Sequence, residues 1–328
     1  MSCYIGTPDQ TYTQRARGKH NALNSNEQQR SESKMNIYEQ TFGTELEYTH
    51  IGRERAVKAI QSVVGGTVRY VGGPYDAWEC RATDGRVWRA VNDSSLSDVP
   101  SNFRAEVVTP ILKYADIETL QEVVRSLRRA GAKATATCSQ HLHLGLEKFS
   151  PEQIANFVKM FYKQEELILK ALGTSEARLA NYTRRTDPEF IERLTSRKPH
   201  TDSELNRAWF GYSNPNPEHY DRSRYHSLNL ACLWRQRTAE IRCAEGSTHS
   251  GEIKSVVVFG LALAVKAFNS KAASAAKREY NEASAKYDLR VFLLRLGLIG
   301  PEFKTVRYHL LKRLPGSAAW KRGRPAAV

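Results

Sequence analysis

No apolar stretch of this chain is long enough to cross a bilayer. The longest, "VVVFGLALAV" from Val256 to Val265, is followed at once by Lys266, whereas a spanning helix takes about 20 residues. It predicts a buried helix and no membrane partner. Residues 1–34 also lack the apolar h-region of a secretory signal. The five cysteines, Cys3, Cys80, Cys138, Cys232 and Cys243, include no C-x-x-C pair; scattered in this way they suit free thiols in a reducing compartment, not a disulfide framework. These absences together predict a cytoplasmic protein. There is no internal repeat at a solenoid period. "GSTHSG" at 246–251 has the glycine spacing of a phosphate loop, but Glu252-Ile253 stands where Lys-Ser/Thr is required, which excludes a P-loop. "GGTVRYVGG" at 65–73 opens no helix and reads as a hairpin, not a nucleotide fingerprint.

Positive charge, by contrast, is plentiful. The 328 residues, 41% of them hydrophobic, are enough for a large core, and the formal net charge is +14. From Lys271 to Val328 there are 13 Lys and Arg against 4 Asp and Glu. This stretch is either a solvated basic helical surface or a means of attracting nucleic acid or another polyanion by counterion release. Aromatic and basic residues do not interleave there as in a single-strand groove.

Local signals divide the chain into elements. Residues 1–34 are polar and predict a disordered arm. "RERAVKAIQSVV" has helical apolar spacing and stops at Gly65-Gly66. Short strands are expected around Thr67 to Tyr70, Ala77 to Arg81 and Val87 to Val91, with Asp84-Gly85 as a turn. "FRAEVVTPIL" reads as a strand ended by Pro110, and Asp116 as the cap of a helix running to Gly131. "QHLHLGL" is a strand and "SPEQIANFVKMFYKQEELILKAL" one long amphipathic helix. Gly173 to Arg224, with "NPNP", is expected to be irregular and to serve as a substrate-binding insertion or lid. Strands "YHSLNLAC" and "RTAEIRCA" follow, then a helix from about Gly251 and further helices over Lys271 to Leu314. The strands cluster as sequential antiparallel pairs, which predicts an α+β fold: an antiparallel sheet with helices packed on one face.

Side chains two apart in a strand share a face. In "FGTELEY" that pairs Glu45 with Glu47; an isolated pair of this kind is usually just a solvated face. Here the pattern recurs: "RAE" pairs Arg104 with Glu106, "HLH" pairs His141 with His143, and "EIR" pairs Glu240 with Arg242, with Leu46, Ala105, Leu142 and Ile241 between them. Each strand is therefore apolar on one side and charged on the other. Gathering these groups in one hollow is costly unless divalent cations compensate the charge. Mg²⁺ prefers carboxylate oxygens and bridges them to nucleotide phosphates, so four glutamates and one histidine suit two or three such ions. Arg242 would then lie where a transferring phosphoryl group carries its charge. The plainer alternative for Glu240 and Arg242 is a structural ion pair. A zinc site at Cys138, His141 and His143 lacks a nearby fourth ligand. Cys243 reads as a small buried filler.

"FGTELEY", "FRAEVVTPIL", "HLHLGL", "RYHSLNL" and "TAEIRCAEGS" resemble, in order and character, the motifs of the amidoligases. These are a branch of the carboxylate-amine ligases with a glutamine synthetase-like fold. The resemblance covers roughly Thr41 to Phe268 and implies a catalytic domain over 35–270. Residues 271–314 would then be helices packed upon it and 315–328 a basic tail. It further implies ATP-dependent amide or peptide bond formation between a small-molecule carboxylate, of an amino acid or glutamyl group, and an amine. Mg²⁺, replaceable by Mn²⁺, would orient ATP, and an acyl phosphate would be the intermediate. Glu45, Glu47, Glu106, His143 and Glu240 match metal ligands, with Glu47, His143 and Arg242 in the catalytic set. Arg242, Arg224 and Asn229 match nucleotide or substrate contacts, and "DGRVWRAVNDSSLS" places Trp88 and Asp93 near the acceptor. Sites of this fold form within one chain or across subunits, so the oligomeric state stays open. Two rivals remain: a metal-dependent hydrolase using the same carboxylates without ATP, and a basic nucleic-acid-binding protein with a degenerate site.

Overall fold

The structure, a computed structural model, describes residues 34–322. The expected arm at 1–34 thus lies almost wholly outside the described residues, as does the end of the expected basic tail. Contacts divide the chain after Asn36, and the unit from Ile37 onward carries the sheet and its helices.

Eight antiparallel strands make one sheet, and eleven helices are present among the described residues, giving an α+β fold. In chain order the strands are β1 (Phe42–Thr49), β2 (Thr67–Gly72), β3 (Ala77–Arg81), β4 (Val87–Val91), β5 (Arg104–Val108), β6 (Ser139–Gly145), β7 (Leu228–Asn229) and β8 (Thr238–Glu245). Their spatial order is β2-β3-β4-β5-β1-β6-β8-β7. The strand that carries "ELE" is therefore central, flanked by those carrying "RAE" and "HLH".

The apolar side of the alternation is closed by helices. Leu46, Tyr48, Ala105, Val107, Leu142, Leu144 and Ile241 are all buried, each large aliphatic contributing about 1.5–3 kcal/mol relative to exposure. α1 (Arg53–Val64) packs directly on this side; α2 (Ile117–Arg129) packs on α1, and α2 and α3 (Pro151–Lys163) both pack on the other helix that meets the sheet, α9 (Ser250–Phe268). The last contains "VVVFGLALAV" and is buried all round, as its composition requires. Among the described residues no helix is long and apolar enough to cross a membrane. α1 ends at Gly65 as predicted; Gly66 follows at φ +84°, where a Cβ would collide with the Arg81 carbonyl.

The structure corrects several expectations. The long helix after Ser150 is two helices, α3 and α4 (Glu165–Leu172), broken at Gln164. The break turns Glu165 inward, where its Oε1 accepts bonds from Thr186 N and Oγ1 and from Ser227 Oγ. The stretch 173–224 is not irregular. It holds α5 (Glu176–Asn181), α6 (Pro188–Arg197) and α7 (Asp202–Phe210), started by caps at Ser175, Asp187 and Thr201. Phe190, Leu194, Leu205 and Trp209 form their own small core.

Of "YHSLNLAC" only Leu228–Asn229 pairs as strand; the short α8 (Leu233–Gln236) follows. Beyond α9 the chain runs without α-helix, with only a 3-10 turn at Glu282–Ser284, until α10 (Ala285–Arg295) and α11 (Lys304–Leu311). In that interval Arg278 N–H donates to the Lys163 carbonyl and Lys277 Nζ reaches Glu165, contacts that take the place of helical pairing. Asp116 does not cap α2 with its side chain; it accepts from Lys113 N–H and pairs with Arg86.

Candidate active site

Residues directly opposite in an antiparallel pair point to the same face. Glu47 stands opposite Glu106, and Glu45 opposite His141. His143 stands opposite Glu240, which in turn stands opposite Asn229. Register therefore collects side chains from β5, β1, β6, β8 and β7 into one row on the face turned away from the helices. At β8 the regular ladder is interrupted: from Leu142↔Ile241 to Gln140↔Ala244, β8 advances three residues while β6 advances two. Such a bulge re-aims side chains, and here it falls beside Arg242.

The contacts are dense. His141 Nδ1 lies 3.1 Å from Glu45 Oε2 and 3.4 Å from Glu240 Oε1. Its Nε2 is 2.9 Å from Ser139 Oγ. Ser139 donates from both N–H and hydroxyl to Glu47 Oε2, each at 2.6 Å. His143 Nε2 is 3.3 Å from Glu45 Oε1 and 3.8 Å from Glu240 Oε1, yet has no hydrogen-bond partner. Glu240 accepts from Arg242 Nη1 at 2.6 Å and from Asn229 Nδ2 at 2.7 Å.

Charge is uneven along the row. Burial pushes Glu45 upward, but His143 and His141 outweigh it and hold the carboxyl well below its usual range. Glu240 behaves alike: burial is overcome by Arg242 and the two imidazoles, leaving it at about 2. His143 is raised by Glu240 and Glu45 against the opposing effect of burial. At the β5 end the balance reverses. Burial raises Glu47, and burial with the charges of Glu45, Glu47 and Asp93 raises Glu106 well above the ordinary carboxylate value. Carboxylates crowded until one resists ionisation, beside an orphaned imidazole nitrogen, fit an oxygen-preferring divalent cation. Ligand atoms of Glu45, His141 and Glu240 lie within 4.8 Å of one another, as do those of His143, Cys232 and Glu240.

Most of the expected site residues meet here: Glu45, Glu47, Glu106, His143, Asn229, Glu240 and Arg242. Asp93 sits at the β5 end, close enough to raise Glu47 and Glu106. Arg224 is one ring away: its guanidinium lies 5.9 Å from the Tyr225 centroid, with Arg242 at 6.0 Å from the same ring. Trp88 is not brought to the row. It pairs opposite Cys80 on the helix-covered face and is 2% exposed, because Arg89 and Val91 take the other parity of β4. The expectation that placed it near an acceptor is corrected to a core position.

Cys138 is also elsewhere: its thiol contacts Thr135, not the imidazoles' open sides. Cys243 is buried and, as read, a filler, its thiol pushed up to about 12 by burial first. Sequence reasoning missed Ser139, whose place two residues before His141 was legible, and Arg178, Cys232 and Tyr225, which no local pattern marked.

The basic C-terminal stretch is partly neutralised within the fold. Lys277 pairs with Glu165 and Glu166, Arg278 with Asp288, Lys312 with Glu252 and Arg313 with Glu245.

An antiparallel sheet that lays carboxylates, imidazoles and a guanidinium in register on one face, over a helix-backed core, has the makings of a charge-handling site. Residues 38–264, well over half of the chain, match the family model described as "putative amidoligase enzyme". The chain belongs to that amidoligase family, whose name denotes ligases that form amide bonds. No curated protein was found to match it.

Proposed function

We propose that the protein is an ATP- and Mg²⁺-dependent ligase that joins a carboxylate, of an amino acid or glutamyl group, to an amine through an acyl phosphate. The observation that carries this reading is the register-matched row Glu106–Glu47, Glu45–His141 and His143–Glu240–Asn229. Glu45, Glu47, Glu106, His143 and Glu240 would hold the cations, two or three Mg²⁺ or Mn²⁺. When bound, the ions neutralise phosphate oxygens of ATP, and the nucleotide supplies the phosphoryl group that activates the carboxylate.

The chain's own residues do the rest by position. Ser139 fixes the Glu47 carboxylate with two bonds, and Asn229 and Arg242 fix that of Glu240. Arg242, 5% exposed and held by Glu240, offers its remaining donors to the developing charge of a transferring phosphoryl group. Arg224 and Asp93 lie at the margin of the row as contacts for nucleotide and acceptor amine. No nucleophilic side chain is required, because positioning and charge neutralisation supply the rate. Incubation with ATP, Mg²⁺ and pooled amino acids tests the reading: ADP release that depends on an added amine supports it. Cleavage of an amide without nucleotide would instead establish a hydrolase.

A further inference from the structure

Arg178 is an anomaly in this molecule. Its side chain is buried, 8% exposed, yet among the described residues no carboxylate lies within ion-pair distance. Nη1 donates to the Thr137 carbonyl at 3.3 Å and Nε has no partner. Burying an unpaired guanidinium is strongly unfavourable, and arginine does not escape by losing its proton. Local structure nonetheless holds it in place. The Ser175 hydroxyl accepts from the backbone N–H of Arg178 itself, and Thr174 Oγ1 donates to the Cys243 carbonyl at 2.5 Å, tying the segment to β8 next to Arg242.

Arg242 has the same defect in milder form. It is 5% exposed and paired with Glu240, but its Nε is also orphaned. Burial lowers the Arg178 pKa first; Glu47 is near enough to favour its charge, and Arg242 near enough to oppose it. Both guanidiniums are held out of water with an Nε that has no hydrogen-bond partner, although Glu240 pairs with one and Glu47 attracts the other.

We infer that Arg178 and Arg242 form a two-guanidinium seat for an oxyanion at the Ser139 end of the carboxylate row. The seat takes either the terminal phosphoryl group of the nucleotide or the carboxylate to be activated. Both present oxygens at the spacing a guanidinium fork matches. The inference rests on the ligase reading only for these two sources; the seat itself follows from the unpaired donors. Arg178 is thereby a specificity residue that lies on an element outside the alternating strands.

The test is equilibrium binding to the full-length protein with Mg²⁺, using inorganic phosphate, ATP, ADP and L-glutamate as probes. Wild type is compared with Arg178→Gln and Arg178→Lys. Phosphate affinity is expected to fall at least tenfold in Arg178→Gln, with partial recovery in Arg178→Lys, which restores charge but not the fork. If the seat holds the terminal phosphoryl group, ATP affinity falls tenfold or more and ADP affinity is unchanged. If it holds the carboxylate, glutamate affinity falls and both nucleotides are unaffected. Should Arg178→Gln fail to fold, Arg178→Lys carries the comparison, with an expected loss of threefold or more for phosphate. Equal binding of phosphate, ATP and glutamate by folded wild type and variants overturns the seat, as does a wild type that binds none of them. Lost phosphate binding without amine-dependent ATP turnover would sink the ligase reading and leave the seat standing; turnover with unchanged affinities would do the reverse.

Discussion

Two parts of the same sheet face treat carboxylates in opposite ways. In the wing, Arg69 stands opposite Glu79 and Glu79 opposite Arg89. Arg89 stands opposite Val108, Val108 opposite Glu45, and Glu45 opposite His141, so one rung runs from wing to centre. Glu79 is bracketed by guanidiniums at 2.9 and 2.8 Å, and these outweigh burial and lower its pKa. In the centre, Glu106 faces Glu47, and burial with neighbouring negative charge raises both. The wing neutralises itself. The Glu47–Glu106 rung instead sets two buried carboxylates against each other.

The comparison breaks most visibly on substitution of one carboxylate from each part. Glu47→Gln is expected to reduce amine-dependent ATP turnover by about 10³-fold, the scale of losing a group that organises transition-state charge, with little change in the unfolding midpoint. Glu79→Gln should leave turnover within threefold. Steady-state kinetics beside thermal melts decide it, and a Glu47→Gln enzyme with normal turnover removes Glu47 from the site.

The next effect is cation-linked stability. At a concentration 100 times its Kd, a cation that binds only the folded protein adds about 2.7 kcal/mol. In cation-free protein Glu106 has a raised folded pKa, so folding retains a proton that the unfolded chain releases, and stability falls as pH rises above the unfolded value, about 4.3. Bound cations remove that penalty, so the stabilisation by Mg²⁺ or Mn²⁺ should grow with pH across this window. Glu45 and Glu240, held low, act in the opposite sense, so the measurement is the difference between wild type and Glu106→Gln. A cation effect that is flat with pH in both proteins would separate Glu106 from the cation site.

Much of this arrangement could be read from the sequence because period-two alternation is local. "ELE", "RAE", "HLH" and "EIR" declare their faces without knowledge of their partners. Trp88 shows the cost of setting that rule aside: parity within "VWRAV" put it with Ala90 on the apolar side, and only the family resemblance drew it toward the acceptor. The wing rung was not legible, since Arg69, Glu79 and Arg89 become neighbours through register between strands. The bulge beside Arg242 is likewise a property of pairing. Arg178 was hidden differently, by reading 173–224 as irregular. The caps in "TSEA", "TDPE" and "HTDSE" were there to be used, but a helix alone would not have shown that its arginine lacks a counterion.

A smaller effect tests the wing's self-sufficiency. Losing the Glu79 ion pairs should destabilise by about 1 kcal/mol, because Arg69 and Arg89 are largely solvated and their attraction is screened. The sign follows from the lowered folded pKa. The contribution is fully present above the unfolded carboxylate value and is lost as pH falls through the folded one. Melts of wild type and Glu79→Gln should therefore converge in acid and separate at neutral pH; separation that widened on acidification would refute the pairing.

The least effect is expected where wing and insertion touch. Tyr75, in the β2–β3 turn, and Tyr220, beyond α7, share a hydroxyl contact at 2.7 Å, although both rings are exposed. Water competes at such a site, so Tyr75→Phe should cost no more than about 0.5–1 kcal/mol, the net worth of an ordinary hydrogen bond. Tyr220 also stacks with Arg224, whose guanidinium lies 5.4 Å from its ring. Releasing Tyr220 should therefore appear as a two- to threefold rise in KM for ATP with kcat unchanged. A fall in kcat instead would mean that the wing contributes to the chemistry and is not, as its charge pairing implies, a self-contained support.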